Sequence, residues 1–313
     1  MAHSENAPGA WNAPRPLLPE LALIVATVAY GATFVIVQDA LDHVTPVGFI
    51  LLRFALGTVV LAPFAWRRGF RRPGSDARAR DFVLAAVAFG VVGFAGYWFQ
   101  DAGLQRTTTS NSAFITGLFV VFTPIIETAL TRRVPQPRVL GAVIVSAVGL
   151  FLLTGASFDL HAGDALTLGC AAMFGGWIVL GSVLSQRFDP VALTAAQMAV
   201  LACCAVPVVL AGGLGHVTGQ VVVAVGVTGI VCSALAFSLQ LWGQRYLEPS
   251  RAAVILLFEP VVAGFVGYAV GERLGAAGYA GAAVILAGIL LAESRSWLRR
   301  TPDSQLSGAE AAT

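Results

Sequence analysis

The sequence predicts an all-α integral membrane protein of ten transmembrane helices built from two inverted five-helix repeats. Three observations carry that expectation. The chain is 57% hydrophobic and only 12% charged, against roughly 25% charged in a soluble domain. Its apolar residues gather in runs long enough to cross a bilayer, which takes about 20 residues rising ~1.5 Å each. Short patterns from the first half also return, in order, in the second.

Uncharged runs cover 21–38, 82–100, 107–126, 139–158, 165–186, 190–244 and 274–292. The run 190–244 is too long for one crossing and is interrupted by Gly212-Gly213-Leu214-Gly215, so it supplies two spans. Two further spans carry one charge each: 46–65 around Arg53 and 250–270 around Glu259. The total is ten. Residues 1–19 are polar, hold Pro8, Pro14, Pro16 and Pro19, and read as a disordered N-terminal tail. The apolar run behind them is too long for a signal peptide. Two five-helix units follow, 20–155 and 163–292, and 293–313 reads as a C-terminal tail.

The 19 basic residues are all arginine. With a cytoplasmic N-terminus and ten crossings, 16 of them fall on the cytoplasmic side, from Arg15 through Arg67, Arg68, Arg71 and Arg72 to Arg299 and Arg300. Only Arg106 and Arg273 fall outside, and Arg53 lies within a span. Such a bias sets orientation and supports the helix count. The basic stretch Arg67–Arg80 then serves to hold a loop in the cytoplasm, with no nucleic acid required. Cys170, Cys203, Cys204 and Cys232 all lie inside spans. Their spacing suggests neither metal nor disulfide, and no cofactor is expected.

The recurring patterns are these. Tyr30-Gly31-Ala32-Thr33-Phe34-Val35 answers to Phe174-Gly175-Gly176-Trp177-Ile178-Val179. Pro46-Val47 precedes Arg53 by the spacing with which Pro190-Val191 precedes Gln197. Gln100-x-x-Gly103-x-Gln105-Arg106 returns, one residue shorter, as Gln240-x-x-Gly243-Gln244-Arg245, and Gly141-Ala142 returns as Gly281-Ala282. Five helices is an odd number, so two such units in tandem face opposite ways. That inverted repeat is typical of secondary transporters, with substrate bound near the midplane. Gly31 lies ~16 Å into the first span and Gly175 ~18 Å into the sixth, both near mid-bilayer. Each glycine reads two ways, as a lining of the path or as close helix packing.

Several of these residues resemble the drug/metabolite transporter superfamily, in particular its EamA-type ten-helix branch. They are Tyr30-Gly31-Ala32-Thr33-Phe34, Arg53-Phe54, Thr107–Ala113 leading to Pro124, Gly163-Asp164, Glu259-Pro260-Val261 and Gly271-Glu272-Arg273-Leu274. The resemblance spans about 20–292. Tyr30 stands where that family often has Trp, and the first half has Thr123-Pro124 where the second has Glu259-Pro260. The resemblance implies a carrier in the bacterial cytoplasmic (inner) membrane, both termini cytoplasmic. It would move a small metabolite by alternating access, often outward, with amino acids, their derivatives or drug-like amphiphiles as typical substrates.

Polar residues inside a bilayer are costly and need a reason, ~2.5–3.5 kcal/mol for a central charge on insertion scales. Arg53 lies ~10 Å into its span; it can grip a carboxylate or phosphate, or snorkel to the headgroups. Glu259 lies ~14 Å in, before Pro260, where a carboxyl can exchange a proton during transport or serve as a structural acid. Glu127 reads as an interfacial partner of Arg132 and Arg133. Asn111 can cap its helix or face a pore. Gln100 and Gln240 lie toward opposite membrane faces, as gates or helix-end hydrogen-bonders. Trp98 and Trp242 suit an interfacial belt, whereas Tyr30 and Trp177 are deep enough to stack on a substrate. The candidate substrate-binding set is therefore Tyr30, Gly31, Thr33, Arg53, Trp98, Asn111, Gly175, Trp177, Gln240 and Glu259, with Glu259 the candidate for proton coupling.

His43, His161 and His216 fall in outer loops, too far apart in sequence to suggest a metal site. No GxxxxGK[ST], GxSxG or HExxH pattern occurs, so neither ATP consumption nor hydrolytic chemistry is expected. A polytopic membrane enzyme and a receptor or scaffold are the rival readings. The small-residue surfaces Gly267-x-x-x-Gly271-x-x-x-Gly275 and Gly278-x-x-Gly281 can serve a homodimer or pack the last two helices internally.

Overall fold

The computed structural model describes residues 17–71, 76–156, 161–269 and 275–298, without the side chains of 109 and 295–298. Residues 1–16 and 299–313, with Arg15, Arg299 and Arg300, lie outside the described residues, as do Arg72 and the Gly271–Leu274 motif with Arg273, whereas helix runs through 18–19 and 293–298 of the stretches read as tails. Among those described, ten helices are long and apolar enough to cross a membrane. They are α1 Leu18–Leu41, α2 Pro46–Arg68, α3 Ala79–Leu104, α4 Ser110–Thr131, α5 Pro137–Thr154, α6 Asp164–Arg187, α7 Pro190–Gly212, α8 Gly219–Gln244, α9 Pro249–Ala269 and α10 Ala276–Ser294. The described residues form an all-helical bundle, as composition and run length require.

Local sequence sets the helix starts. α2 and α7 both open on proline, whose fixed φ suits the first helical position. Thr45 accepts from Gly48 N–H, and Asp189 accepts from the N–H groups of Val191 and Ala192. These caps satisfy otherwise orphaned donors. The recurring Pro-Val pair is thus a recurring helix start.

Helix packing follows the pattern an inverted repeat produces. α1 packs on α8 and α9, and α6 packs correspondingly on α3 and α4. α2 lies against α8, and α7 against α3. The self-related pairs α2–α7, α4–α9 and α5–α10 are all in contact. Loops obey the same relation. Val44 bridges Gly215, joining the α1–α2 and α7–α8 turns, while Arg71 bridges Phe188, joining the α2–α3 and α6–α7 turns. One face carries Arg67, Arg68, Arg71, Arg132, Arg133, Arg187 and Arg245; it is called the arginine face below. The other carries His43, Arg106, His161 and His216.

Glycines occur where backbones cross. A Cβ on Gly149 of α5 would lie 2.7 Å from Ile285 N and 2.9 Å from Gly281 O of α10. Gly281 packs back onto Leu153, so this half of the small-residue surface is engaged within one chain. Small residues let membrane helices approach closely, where dispersion and weak polar contacts replace the hydrophobic effect.

Gly149→Val should therefore lower the thermal unfolding midpoint in detergent, because overpacking costs ~1–3 kcal/mol. Gly226→Ala, in α8 with nothing within 4 Å of the added methyl, should leave it unchanged or slightly raised. Equal midpoints for Gly149→Val and wild type would refute the crossing.

Candidate functional site

Four irregular stretches of backbone meet inside the bundle. α1 is interrupted at Thr33, whose hydroxyl donates to Ala29 O and Tyr30 O at 3.0 Å. Such back-bonding competes with the helical ladder. α4 breaks at Leu118, six residues before Pro124, and α9 breaks at Leu257, three before Pro260. Proline supplies no N–H to the preceding turn and crowds its carbonyl. α8 widens into a π-helix over Thr228–Ala236.

All four surround one cavity of about 550 Å³. Thr33, Gly117 and Phe119, Cys232, and Leu256 and Leu257 line it. It extends past Gln100 to Ser110 and Thr154, toward the histidine-bearing face. Its other end is closed where Tyr30 Oη donates to Gln240 Oε1 at 2.8 Å. This volume suits a small organic molecule.

The walls are aromatic. Tyr30, Tyr97, Phe174, Trp177 and Phe237 all line the space. Phe237 lies 5.2 Å from both Tyr30 and Trp177, and Tyr97 meets Phe174 edge-on at 5.2 Å. Trp177 is fixed behind the wall by stacking on Phe89 at 5.4 Å and by donating Nε1–H to Gln197 Oε1 at 3.0 Å. The duplicated positions Arg53 and Gln197 have thus parted roles: Gln197 holds an aromatic wall, and Arg53 faces the cavity.

Two charged side chains complete the lining. Arg53 has its guanidinium carbon 4.6 Å from the Phe54 ring and 5.8 Å from Tyr97. Its Nε is buried without a hydrogen-bond partner. Glu259 also lines the cavity, and its surface is open to that space. Among the described residues neither forms an ion pair, with each other or with anything else. A guanidinium and a carboxyl thus share one cavity without an ion-pair contact between them.

The sequence-selected residues separate into two groups. Tyr30, Thr33, Arg53, Trp177, Gln240 and Glu259 come together in the cavity lining. Gly31 and Gly175 lie behind it in helix contacts. A Cβ on Gly31 would meet Val262 Cβ at 2.7 Å and Glu259 O at 2.8 Å; one on Gly175 would meet Phe122 Cβ at 3.0 Å and Thr123 N at 3.1 Å. Each glycine therefore seats its helix on the proline-broken helix of the other unit. Asn111 is buried at the start of α4 near the His161 ring, 3.3 Å away. Trp98 is 42% exposed on the outer surface of α3.

Tyr97, Phe174 and Phe237 enter the lining without having been singled out from sequence. For Tyr97 a signal was present. Gly90, Gly93 and Gly96 mark the buried stripe of α3, and Tyr97, four residues from Gly93, follows it. Trp98 is one residue, hence ~100° of helix rotation, further on.

Glu127 differs from the interfacial ion-pair expectation. It is 2% exposed and accepts from Ser250 N–H at 3.0 Å and from the Ser250 hydroxyl. Its carboxyl caps the start of α9, where free N–H groups and the helix dipole favour an anion.

The family model described as "EamA-like transporter family" matches residues 17–155 and 161–293. A protein of Archaeoglobus fulgidus named "Uncharacterized transporter" is 31% identical over 281 residues, covering 89% of this chain and 87% of the relative. A second of that name and organism is 23% identical over 286 residues, covering 88% and 97%. A solved structure titled "Crystal structure of protein" shares the fold, with TM-score 0.75 and 16% identity over 90% of this chain and 99% of that one.

Glu127→Ala should destabilise the protein by ~1–3 kcal/mol, since it strips a cap and leaves buried Ser250 donors unpaired. The expected readout is a lowered thermal midpoint in detergent, largely restored by Asp or Gln at 127. An unchanged midpoint would place the contribution elsewhere.

Proposed function

We infer the carried solute and the route from one premise: the chain belongs to the EamA-like transporter family and is a multi-pass membrane transporter. We propose that a small metabolite binds in the central cavity and crosses by alternating access. The supporting observation is that Arg53 and Glu259, not in ion-pair contact with each other, both line an aromatic-walled space of about 550 Å³.

Each part then has a role. Arg53 receives the anionic group of the solute, for which its planar fork is suited. The rings of Tyr30, Tyr97, Trp177 and Phe237 contact the apolar body. Gln240 and Tyr30, bonded to each other at the closed end, exchange that bond for contacts to solute. Glu259 binds the solute's cationic group or a proton, so its charge state is coupled to occupancy. The fitting solute is a small amphiphile with an acidic group, such as an amino acid, a derivative, or a drug-like acid.

The two five-helix units act as opposed copies, so rocking one against the other opens one face as it closes the other. Charge bias supports a cytoplasmic arginine face, and with it cytoplasmic termini in a bacterial inner membrane. The cavity of the structure then opens outward, and we propose net export driven by a proton gradient.

The test is release of solutes from proteoliposomes loaded with a cytosolic metabolite mixture, read by mass spectrometry with and without a pH gradient. Solutes released only with protein present are expected to carry an acidic group. Arg53→Gln should raise their half-saturating concentration about tenfold or more, since a hydrogen bond to a charged group contributes ~1.5–3 kcal/mol. Glu259→Gln should remove the gradient effect while leaving folding intact. Unaltered gradient dependence in folded Glu259→Gln would remove Glu259 from coupling, and no protein-dependent release would sink the whole proposal.

A further inference from the structure

At the arginine face three helices are held by one cation. Arg251 in the first turn of α9 donates Nε–H to Glu293 Oε1 at 2.5 Å and a terminal N–H to the other oxygen of Glu293. The same terminal nitrogen reaches Glu20 Oε1 at 2.9 Å. Glu20 opens α1 and Glu293 closes α10. Glu20 and Glu293 are 5% and 7% exposed, so this contact is largely withdrawn from water. Directly within it, Leu23, Leu247, Ala252 and Ile255 form an apolar plug, and the Tyr30–Gln240 bond lies beyond. These layers separate the cavity from the arginine face.

The inverted counterparts of α1, α9 and α10 are α6, α4 and α5. On the opposite face the described residues of their corresponding ends are joined by hydrogen bonds, Asn111 to His161 and Thr107 to Asp164, and not by an arginine clamp. Where α9 has Arg251, the first turn of α4 has Asn111. The α6 end is held by Thr107, which donates to Asp164 Oδ1 at 2.5 Å, and by contacts of the short turn at His161. Among the described residues no arginine–carboxylate pair joins α4, α5 and α6. The cavity lining instead reaches Ser110 of α4 and Thr154 of α5.

We propose that Arg251, Glu20 and Glu293 are the gate of the arginine face, a charged latch that biases the carrier toward the state open on the opposite face and must break for the arginine face to open. The proposal rests on the alternating-access reading. Two features suit a gate over a permanent clamp. The latch joins the ends of three helices that an inward opening must separate, and both units contribute, since α1 belongs to the first and α9 and α10 to the second. Glu20 Oε2 is buried without a partner, so the closed latch is incompletely satisfied and water entering on opening compensates part of its rupture. Removing one member of a buried charge group leaves the others uncompensated, so variants shift the balance between the two open states.

The experiment needs no transported solute. In a chain with Cys170, Cys203, Cys204 and Cys232 replaced by serine, Glu259→Cys reports on the cavity. A membrane-impermeant cationic methanethiosulfonate is applied from one face and then the other. With the latch intact, labelling from the histidine-bearing face should be much the faster. Arg251→Gln should shift the ratio of the two rates toward the arginine face by about tenfold or more, whereas Arg251→Lys, which keeps the charge, should retain most of the original ratio. If Arg251→Gln does not fold, Glu20→Gln and Glu293→Gln each remove one arm and should shift the ratio in the same direction. An unchanged ratio in folded Arg251→Gln, or in both single-arm variants, overturns the latch, as does equal labelling from both faces of the intact protein. A shifted ratio, where the chain with Glu259 intact moves no solute, would keep the latch and sink the carrier proposal; ordinary flux of that intact chain with an unshifted ratio would do the reverse.

Discussion

A bilayer offers no water to unpaired backbone groups, so irregular backbone at membrane depth survives only within protein or beside a water-accessible cavity. That constraint organises this molecule. The interruptions at Thr33, Leu118 and Leu257 and the π-helical stretch around Cys232 are the places where the ladder of α1, α4, α9 and α8 is disturbed. All of them border the same space. The lipid-facing length of the other helices can then remain regular. Pro260, costly in an isolated helix, itself lines that central chamber.

The two glycines of the repeated pattern matter through this arrangement. Gly31 brings α1 against the carbonyl of Glu259 and the side chain of Val262, and Gly175 brings α6 against Phe122 and Thr123. In both cases a helix of one unit rests on the broken helix of the other. A larger residue at either point would displace the segment that forms the chamber wall. Packing and lining are therefore linked, and the glycines act on the chamber without bordering it.

Much of this was legible in sequence because bilayer thickness converts run length into helix count. The ten spans, the Pro46 and Pro190 starts and the depth of Arg53, Glu259, Tyr30 and Trp177 all follow from counting along the chain. Azimuth around a helix is harder to read. Tyr97 and Trp98 share a depth, yet ~100° of rotation puts the first in the chamber and the second 42% exposed. Partner choice is harder still. Glu127 has Arg132 and Arg133 nearby in sequence, but its hydrogen bonds go to Ser250, 123 residues away. Only the packing of α4 on α9 creates that contact, and nothing in the local sequence around Glu127 specifies it.

Under the proposed alternating access, oppositely facing copies would not by themselves choose which face rests open, since each would offer the other's contacts in reverse. Side chains must break the tie. The repeats have diverged where that matters: Glu259 answers to Phe119, the two having matching carbonyl contacts to Gly31 and Gly175, Arg53 answers to Gln197 in the paired helices, and Arg251 to Asn111 at the helix starts. The first two divergences place a carboxyl and a guanidinium in the chamber without mutual contact. The third places a second guanidinium between Glu20 and Glu293 at the arginine face, with no counterpart among the described residues of the other. A charge already paired by protein stabilises one conformation, whereas a charge left without a partner in an accessible chamber gains most when a solute supplies one. On the reading proposed above, the same residue chemistry separates into two tasks by position: ion pairing at the membrane surface would set the resting state, and unpaired charge at mid-depth would let an occupant shift it.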